Sequence, residues 1–296
     1  MNEYLLSVVL GVVEGLTEFL PVSSTAHLRI SEVLLGISLS SGYWKMYSIV
    51  IQLGAILCLP LYFRHRIAAL LADFPRGREG NKTIFTHPLS LTCVAFVFTA
   101  VPSLLLTKLI GKNLESLTVM AAALIIGGIV MWIVDARFGA PAASGAARQY
   151  RTSDMEQISF GQAVWIGCCQ VFSAVFPGTS RSMSTIAAGQ LAGMSRPSAL
   201  EFSFFLSIPT MVAATCYDLL KTMRHAHGGA DIGAAPHDLH GWIVLAIGFV
   251  ISFLVAYVVV AWFMHWVRTR GFTLFAIYRI LAGGAVFFWV MRHAGQ

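Results

Sequence analysis

The chain is 296 residues long, 57% hydrophobic and only 11% charged, with a formal net charge of +6 and a mean hydropathy of +0.73. A soluble domain is about a quarter charged because its surface must face water; so few charges cannot coat such a surface, and an all-α integral membrane protein is expected. The basic excess sits in short loops between apolar segments, which excludes a nucleic-acid-binding domain and points to topology determinants.

Helices are the expected spanning element, since the apolar stretches run unbroken for ~20 residues, the length needed to cross a ~30 Å hydrocarbon layer. A first short arm, 4–20, lacks a basic flank and carries Glu14 and Glu18, so it reads as mature protein and not as a cleavable signal. It meets Pro21, and a second short arm, 22–35, follows. Spans are then expected at about 43–63, 88–108 and 118–134, before a polar linker at 136–157. The order repeats: arm 158–176, Pro177, arm 179–194, then spans at about 200–220, 241–267 and 272–291. Proline removes a backbone hydrogen bond and clashes with the preceding turn, so each pair of arms is expected to be a re-entrant helix pair meeting near the bilayer midplane. The five cysteines, Cys58, Cys93, Cys168, Cys169 and Cys216, all fall in apolar segments and read as small core residues without a disulfide framework.

One offset of 156 residues pairs Gly11 with Gly167, Pro21 with Pro177, Ser24 with Ser180, and Gly127-Gly128 with Gly283-Gly284. The chain therefore reads as one membrane domain made of two repeats, 1–135 and 158–296, joined by the linker. Three full spans per repeat is an odd number, so the second repeat enters the membrane from the opposite side. The expected architecture is an inverted-topology repeat, each half a re-entrant helix pair plus three transmembrane helices. Arg64, Arg66, Arg76, Arg78 and Lys82, then Arg137, Arg148 and Arg151, then Arg268 and Arg270, all fall on one side, assigned to the cytoplasm.

Ionisable residues at membrane depth are costly and mark function. Glu14 and Glu18 share a helical face, and Ser23-Ser24-Thr25-Ala26-His27 follows the Pro21 break. The partner half offers Gly178-Thr179-Ser180-Arg181-Ser182, with Thr185 beyond and Gln170 matching Glu14. Each second arm points a helix N-terminus into the protein centre, where free N–H groups and the dipole favour an anion. Hydroxyls crowd both N-termini, Gly178 permits close backbone approach, and Arg181 can fork onto phosphate oxygens. A phosphate-bearing ligand is expected. His27 lies on the face of Ser23 and Ser24, so serine and histidine suit a nucleophile and its base. Direct attack by water, or a phosphohistidine at His27, stays open. Glu14 and Glu18 either shift a pKa for proton transfer or recruit a divalent cation, with Mg the one expected. As a bland alternative, the two glutamates only pair with Arg181 as glue between the halves.

The stretch Glu14-Gly-Leu-Thr-Glu18-Phe-Leu-Pro-Val-Ser-Ser-Thr-Ala-His27, together with Pro177-Gly-Thr-Ser-Arg-Ser182, closely resembles the bacterial undecaprenyl pyrophosphate phosphatase family, also called the bacitracin-resistance family. Ile51-Gln-Leu-Gly54, Glu201-Phe-Ser-Phe204 and Phe275-Ala-Ile-Tyr-Arg279 extend the likeness over essentially the whole chain. The resemblance implies hydrolysis of a C55 isoprenyl pyrophosphate to the monophosphate, recycling the cell-wall lipid carrier. It implies that Glu14 and Glu18 form the acidic motif, that Ser24 and His27 belong to the catalytic stretch, and that Ser180, Arg181, Ser182 and Thr185 bind pyrophosphate. It also implies a multi-pass protein of the bacterial inner membrane with its active site toward the periplasm. Met183 stands where the family pattern usually has glycine, and Ser48 where some relatives carry glutamate. The expected partners are that lipid and the bilayer; a homodimer is compatible with the reading.

Two rival readings stand beside this one. Inverted repeats with broken helices are also a transporter architecture, so a lipid-phosphate flippase using the same cradle is the alternative. A type 2 phosphatidic acid phosphatase is disfavoured, because Ser180-Arg181 is not followed by its His-x-x-x-Asp. Glu201 and Arg279 are expected either to line the site or to pair structurally. His225, His227, His237 and His240 read as a polar loop and not as a metal site. The two glycine pairs read as close helix packing.

Overall fold

The computed structural model describes residues 2–37, 42–106, 116–139, 149–226 and 238–293. Arg148, His227 and His237 lie outside the described residues. Among these residues the fold is all α. The first pair of arms is α1, Glu3–Thr17, and α2, Ser24–Leu34. Then come α3, Gly42–Tyr62, a short α4, Arg64–Ala72, α5, Pro88–Leu105, and α6, Leu117–Val134. The second pair is α7, Phe160–Val175, and α8, Arg181–Leu191, followed by α9, Arg196–Ala226, α10, Leu239–Thr269, and α11, Thr273–His293. Six helices are long and apolar enough to cross a membrane: α3, α5, α6, α9, α10 and α11. The chain is an integral membrane protein, as its composition required.

Local chemistry accounts for the boundaries. Ser159 caps α7 in a reciprocal box with Gln162, and Asp238 caps α10 by accepting from the Gly241 amide at 2.9 Å. His87 caps α5, its Nδ1 accepting from the Leu89 amide at 3.3 Å; burial holds that imidazole below its ordinary pKa, in the neutral form able to accept. At the second break, Phe176 is extended (φ −115°, ψ 96°), the conformation that a following proline favours. The short α4 and a π-helical turn at Asp135–Gly139 are not expected from the sequence; both sit between a span and a polar loop, where no long apolar run announces them.

The two arms start at opposite ends of the molecule. Near the start of α1, Tyr4 Oη lies 2.8 Å from His240 Nδ1 at the start of α10, and Tyr43 at the start of α3 donates to the Gly241 carbonyl at 2.9 Å. The start of α7 lies at the other end, with the basic residues. There Arg66 on α4 donates to Asp154 at 3.0 Å, Glu156 at 2.7 Å and Glu201 at 2.9 Å. Asp135 accepts there from Arg196 at 2.7 and 3.0 Å, from Gln190 at 3.0 Å and from the Phe272 amide at 2.8 Å.

Each first arm packs on a helix from the other half of the chain. α1 lies on α10 so closely that a Cβ at Gly15 would stand 2.6 Å from the Ser252 carbonyl oxygen. Likewise α7 lies on α5, where a Cβ at Gly167 would run into the Ala95 carbonyl and Thr99 donates to the Gly167 carbonyl at 2.9 Å. Small residues that let backbones touch are the usual means of helix association in lipid. The glycine pairs divide. Gly128 and Gly283 bring α6 and α11 together, where an added Cβ would stand 2.9 and 2.8 Å from the Ala276 and Ala121 carbonyl oxygens, whereas Gly284 faces open space. Gly127 makes room for a guanidinium, described below.

Candidate active site

Both second arms begin on a serine in the left-handed region, Ser23 at φ 75° and Ser180 at φ 71°. Side chains with a Cβ rarely adopt this conformation, and such strain tends to collect at functional sites. Each hydroxyl caps its own helix, Ser23 toward the Ala26 amide at 3.5 Å and Ser180 toward the Met183 amide at 3.3 Å. The two caps correspond in a register one residue longer than the one set by Gly11 and Gly167, so Ser23, and not Ser24, is the counterpart of Ser180. That frees Ser24 from capping. Between the breaks lies a cavity of about 550 Å³, lined by Glu18, Ser23, Ser24, Thr25, Gly178, Ser180 and Arg181, with Gln52, Thr99 and Gln170 beside them. It extends along the later halves of α5 and α9, past Leu104 and Tyr217, and so runs from the breaks toward the end away from the basic loops.

A chain of short contacts joins the halves inside this cavity. Ser24 Oγ donates to Glu18 Oε2 at 2.5 Å, and Arg181 Nη2 donates to Glu18 Oε1 at 2.8 Å. All three are largely buried, with the Arg181 side chain 10% and the Glu18 side chain 3% exposed. Arg181 is thereby held over the cavity with Nε and Nη1 free of protein partners, two donors on a fixed charge. Glu14 is fully buried, and neither carboxylate oxygen has a partner. Such a group calls for a proton, a water or a cation. Among the described residues no three His, Cys, Asp or Glu gather as a metal site. Magnesium, however, is commonly held by one or two carboxylates with substrate phosphates completing its shell, and an orphaned carboxylate beside Glu18 fits that mode.

His27 does not face Ser24. Its Nδ1 bonds the Ser23 carbonyl at 2.8 Å, so Nδ1 carries the proton, and Nε2 accepts from the Tyr278 hydroxyl at 2.6 Å. The rings stack, with centroids 5.5 Å apart. With both nitrogens occupied, His27 braces the strained Ser23 peptide, and the proton acceptor within reach of Ser24 is Glu18. Three other residues expected around the phosphate also turn away from the cavity. Thr185 bonds its own helix and Ser203, the latter at 2.6 Å. Ser182 donates to the Leu20 carbonyl at 3.0 Å, tying one break to the other. Thr179 lines a separate apolar cavity with Gly127 and Met183, and its carbonyl accepts from Arg279 at 3.0 Å.

Arg279 is the fastener of both breaks. Fully buried, it donates to the Pro21 carbonyl at 3.0 Å and to the Ala123, Gly178 and Thr179 carbonyls at 3.1, 3.1 and 3.0 Å. Glycine at 127 is required because a Cβ there would overlap this guanidinium. Glu201 belongs to the distant Arg66 cluster. Ser48 donates to Glu32 at 2.8 Å, giving that buried acid a neutral partner beside Arg29. Met183 packs toward Gly127, where its Cε lies 2.9 Å from the Cβ position, and not into the polar cavity. Gly178 has φ +95°, and a Cβ on it would stand 2.7 Å from the Met120 carbonyl oxygen. Gly178→Ala is therefore expected to cost about 1–3 kcal/mol through the backbone conformation alone and to lower turnover, read from thermal unfolding and activity of the purified protein.

The model for the family described as Bacitracin resistance protein BacA matches residues 7–285. The chain belongs to this family. The undecaprenyl-diphosphatase of Koribacter versatilis is 67% identical over 293 residues, 99% of this chain and 100% of that protein. The undecaprenyl-diphosphatase of Rhizobium etli is 42% identical over 282 residues, 95% of each chain. The protein of the same name from Caldanaerobacter subterraneus is 38% identical over 286 residues, 96% of this chain and 95% of that one. Within this BacA-family chain, sequence reasoning missed two groups. Tyr278 carries no signal beyond its place in the Phe275–Arg279 stretch; Gln170 had one, its match to Glu14.

Proposed function

We propose that the protein is an undecaprenyl-diphosphate phosphatase, hydrolysing the C55 isoprenyl pyrophosphate to the monophosphate and phosphate. The observation that carries the reading is the buried Ser24–Glu18–Arg181 chain at the mouth of two helix N-termini. In this reading they are a nucleophile, its proton acceptor and a phosphate-binding cation, the first and the last each within hydrogen-bond reach of Glu18. Full-length relatives that bear this activity in their names support it.

In this reading Arg181, with the amides and hydroxyls at Ser23 and Ser180, holds the pyrophosphate and meets the charge that develops in phosphoryl transfer. Glu18 takes the Ser24 hydroxyl proton as Oγ attacks the terminal phosphorus. The bond to the bridging oxygen breaks, and the lipid monophosphate leaves. Water then attacks the phosphoserine, Glu18 returns the proton to Oγ, and phosphate departs. Our reading includes Mg²⁺ held by Glu14 with Glu18, which would offset the pyrophosphate charge when bound. His27 acts by fixing Ser23. The cavity is built from one chain, so the reading needs no second copy.

The reading extends to topology. Arms that start at opposite ends and exchange packing partners between halves support an inverted repeat. With the basic loops in the cytoplasm, the cavity faces the periplasm of a bacterial inner membrane. The test is phosphate release from undecaprenyl diphosphate by purified protein in detergent, with no membrane potential. Release of one phosphate per lipid is expected, lost with a chelator and restored by Mg²⁺. A protein that binds the lipid without releasing phosphate would be a carrier and would overturn the reading; activity untouched by chelation would remove the metal from it.

A further inference from the structure

Gln170 sits on α7 and lines the cavity that holds Ser24, Glu18 and Arg181. It is 3% exposed, and its Oε1 is buried without a hydrogen-bond partner. Leaving an amide oxygen unpaired in an interior is costly, and the fold does not use this one: the adjacent Ser173 hydroxyl bonds the Gln170 backbone carbonyl at 2.7 Å, not the side chain. The chemistry of the surroundings narrows what the oxygen is for. Arg181 already supplies charged donors with free positions, and Glu14 and Glu18 supply charged acceptors. What Gln170 adds is a neutral acceptor, which does not repel a phosphate as a third carboxylate would. The neutral reactant in phosphate hydrolysis that needs an acceptor is water, and an amide side chain is one of the groups able to orient it.

Resting on the phosphatase reading, we infer that Gln170 positions the attacking water, its Oε1 accepting one water hydrogen. In that step the water oxygen bonds to phosphorus, the bond from phosphorus to Ser24 Oγ breaks, Oγ takes the proton held by Glu18, and the water's hydrogens leave with the phosphate. Gln170 gains and loses no proton. It is a positioning residue, and its effect falls on turnover and not on lipid capture.

The test compares wild type, Gln170→Met and Gln170→Asn in detergent with undecaprenyl diphosphate, reading kcat, KM, acid-stable phosphoenzyme and thermal unfolding. Methionine keeps the length without the acceptor, and since the orphaned amide is gone, Q170M is expected to unfold no earlier than wild type. We expect kcat to fall about 30- to 100-fold with kcat/KM within twofold, KM dropping in step with kcat and phosphoenzyme accumulating because only its hydrolysis is slowed. Q170N draws the amide back by one methylene; it is expected to show the same split more weakly, and it carries the test alone should Q170M not fold. Wild-type kcat in the folded variant, or a fall in kcat/KM without accumulated phosphoenzyme, overturns the inference while leaving the phosphatase reading intact. A wild-type protein that releases no phosphate overturns both.

Discussion

Glu18→Gln is expected to lower kcat for phosphate release by about 10³-fold, within the range that a general base contributes. Two losses combine in it. The Ser24 hydroxyl loses the carboxylate that accepts its proton at 2.5 Å, and Arg181 loses the charge that orients it at 2.8 Å. The buried guanidinium is then left without a counter-ion, so KM is expected to change as well, in a direction set by how far Arg181 swings onto the phosphate. Ser24→Ala should show a comparable fall in kcat with Arg181 still held. Residues that act as one unit are not additive, so the double variant is expected to be no slower than the slower single one. Steady-state kinetics on the three proteins, with rapid-quench trapping of phosphoserine in wild type, checks this. Full activity in Ser24→Ala would remove it as nucleophile and leave direct water attack. By contrast His27→Gln, which keeps a hydrogen-bonding group but no base, is expected to retain far more activity than Glu18→Gln.

Arg279→Met should destabilise the protein by about 3–5 kcal/mol, the usual penalty for breaking a buried charged network by removing one partner. Four carbonyls from Pro21, Ala123, Gly178 and Thr179 would lose their donor at depth where water is scarce. Because the first and the last two of these residues belong to the two breaks, the loss also separates the helix N-termini that make the phosphate cradle. Lysine is not expected to rescue it, since one ammonium cannot occupy both the Nη1 position that bonds the Pro21 carbonyl and the Nη2 position that bonds the Ala123, Gly178 and Thr179 carbonyls. Thermal unfolding in detergent reads the stability, and the activity of whatever folded protein remains reads the site. An Arg279→Lys protein with wild-type unfolding and turnover would show that the breaks hold themselves.

Much of this architecture is legible in the amino-acid sequence. Run lengths of apolar residues mark six spans within a few residues of their observed limits, and Pro21 and Pro177 mark two interrupted arms. These are local properties, set by the residues themselves. The short α4 escapes such a reading because nine residues with three basic or imidazole side chains at the start carry no periodic signal strong enough to read. The match between halves is visible at Gly11 and Gly167, yet the caps follow a register one residue longer. Glycine spacing reports where backbones touch, whereas the cap position depends on how far each first arm runs past its glycine, to Thr17 or to Val175, and on the break that follows. The second arm runs two residues further and its break is one residue shorter, which leaves the caps one residue out of register.

The site divides in the same way. Composition and spacing by themselves determined that Glu14, Glu18, Ser24, Arg181 and their hydroxyl neighbours gather around two helix breaks, because the scarce charge of an apolar chain outside its loops falls on these short stretches. Only the tertiary structure decided which of these face one another. It set Glu18 and not His27 against Ser24, turned Thr185 and Ser182 into helix and break contacts, gave Arg279 to the carbonyls of both breaks, and left the Gln170 oxygen unpaired in the cavity. The reason is physical. The deciding contacts join residues as far apart as Arg181 and Glu18 or Arg279 and Pro21, and whether they meet depends on how each helix is rotated and how closely glycines let it approach its neighbour, which no stretch of sequence fixes alone.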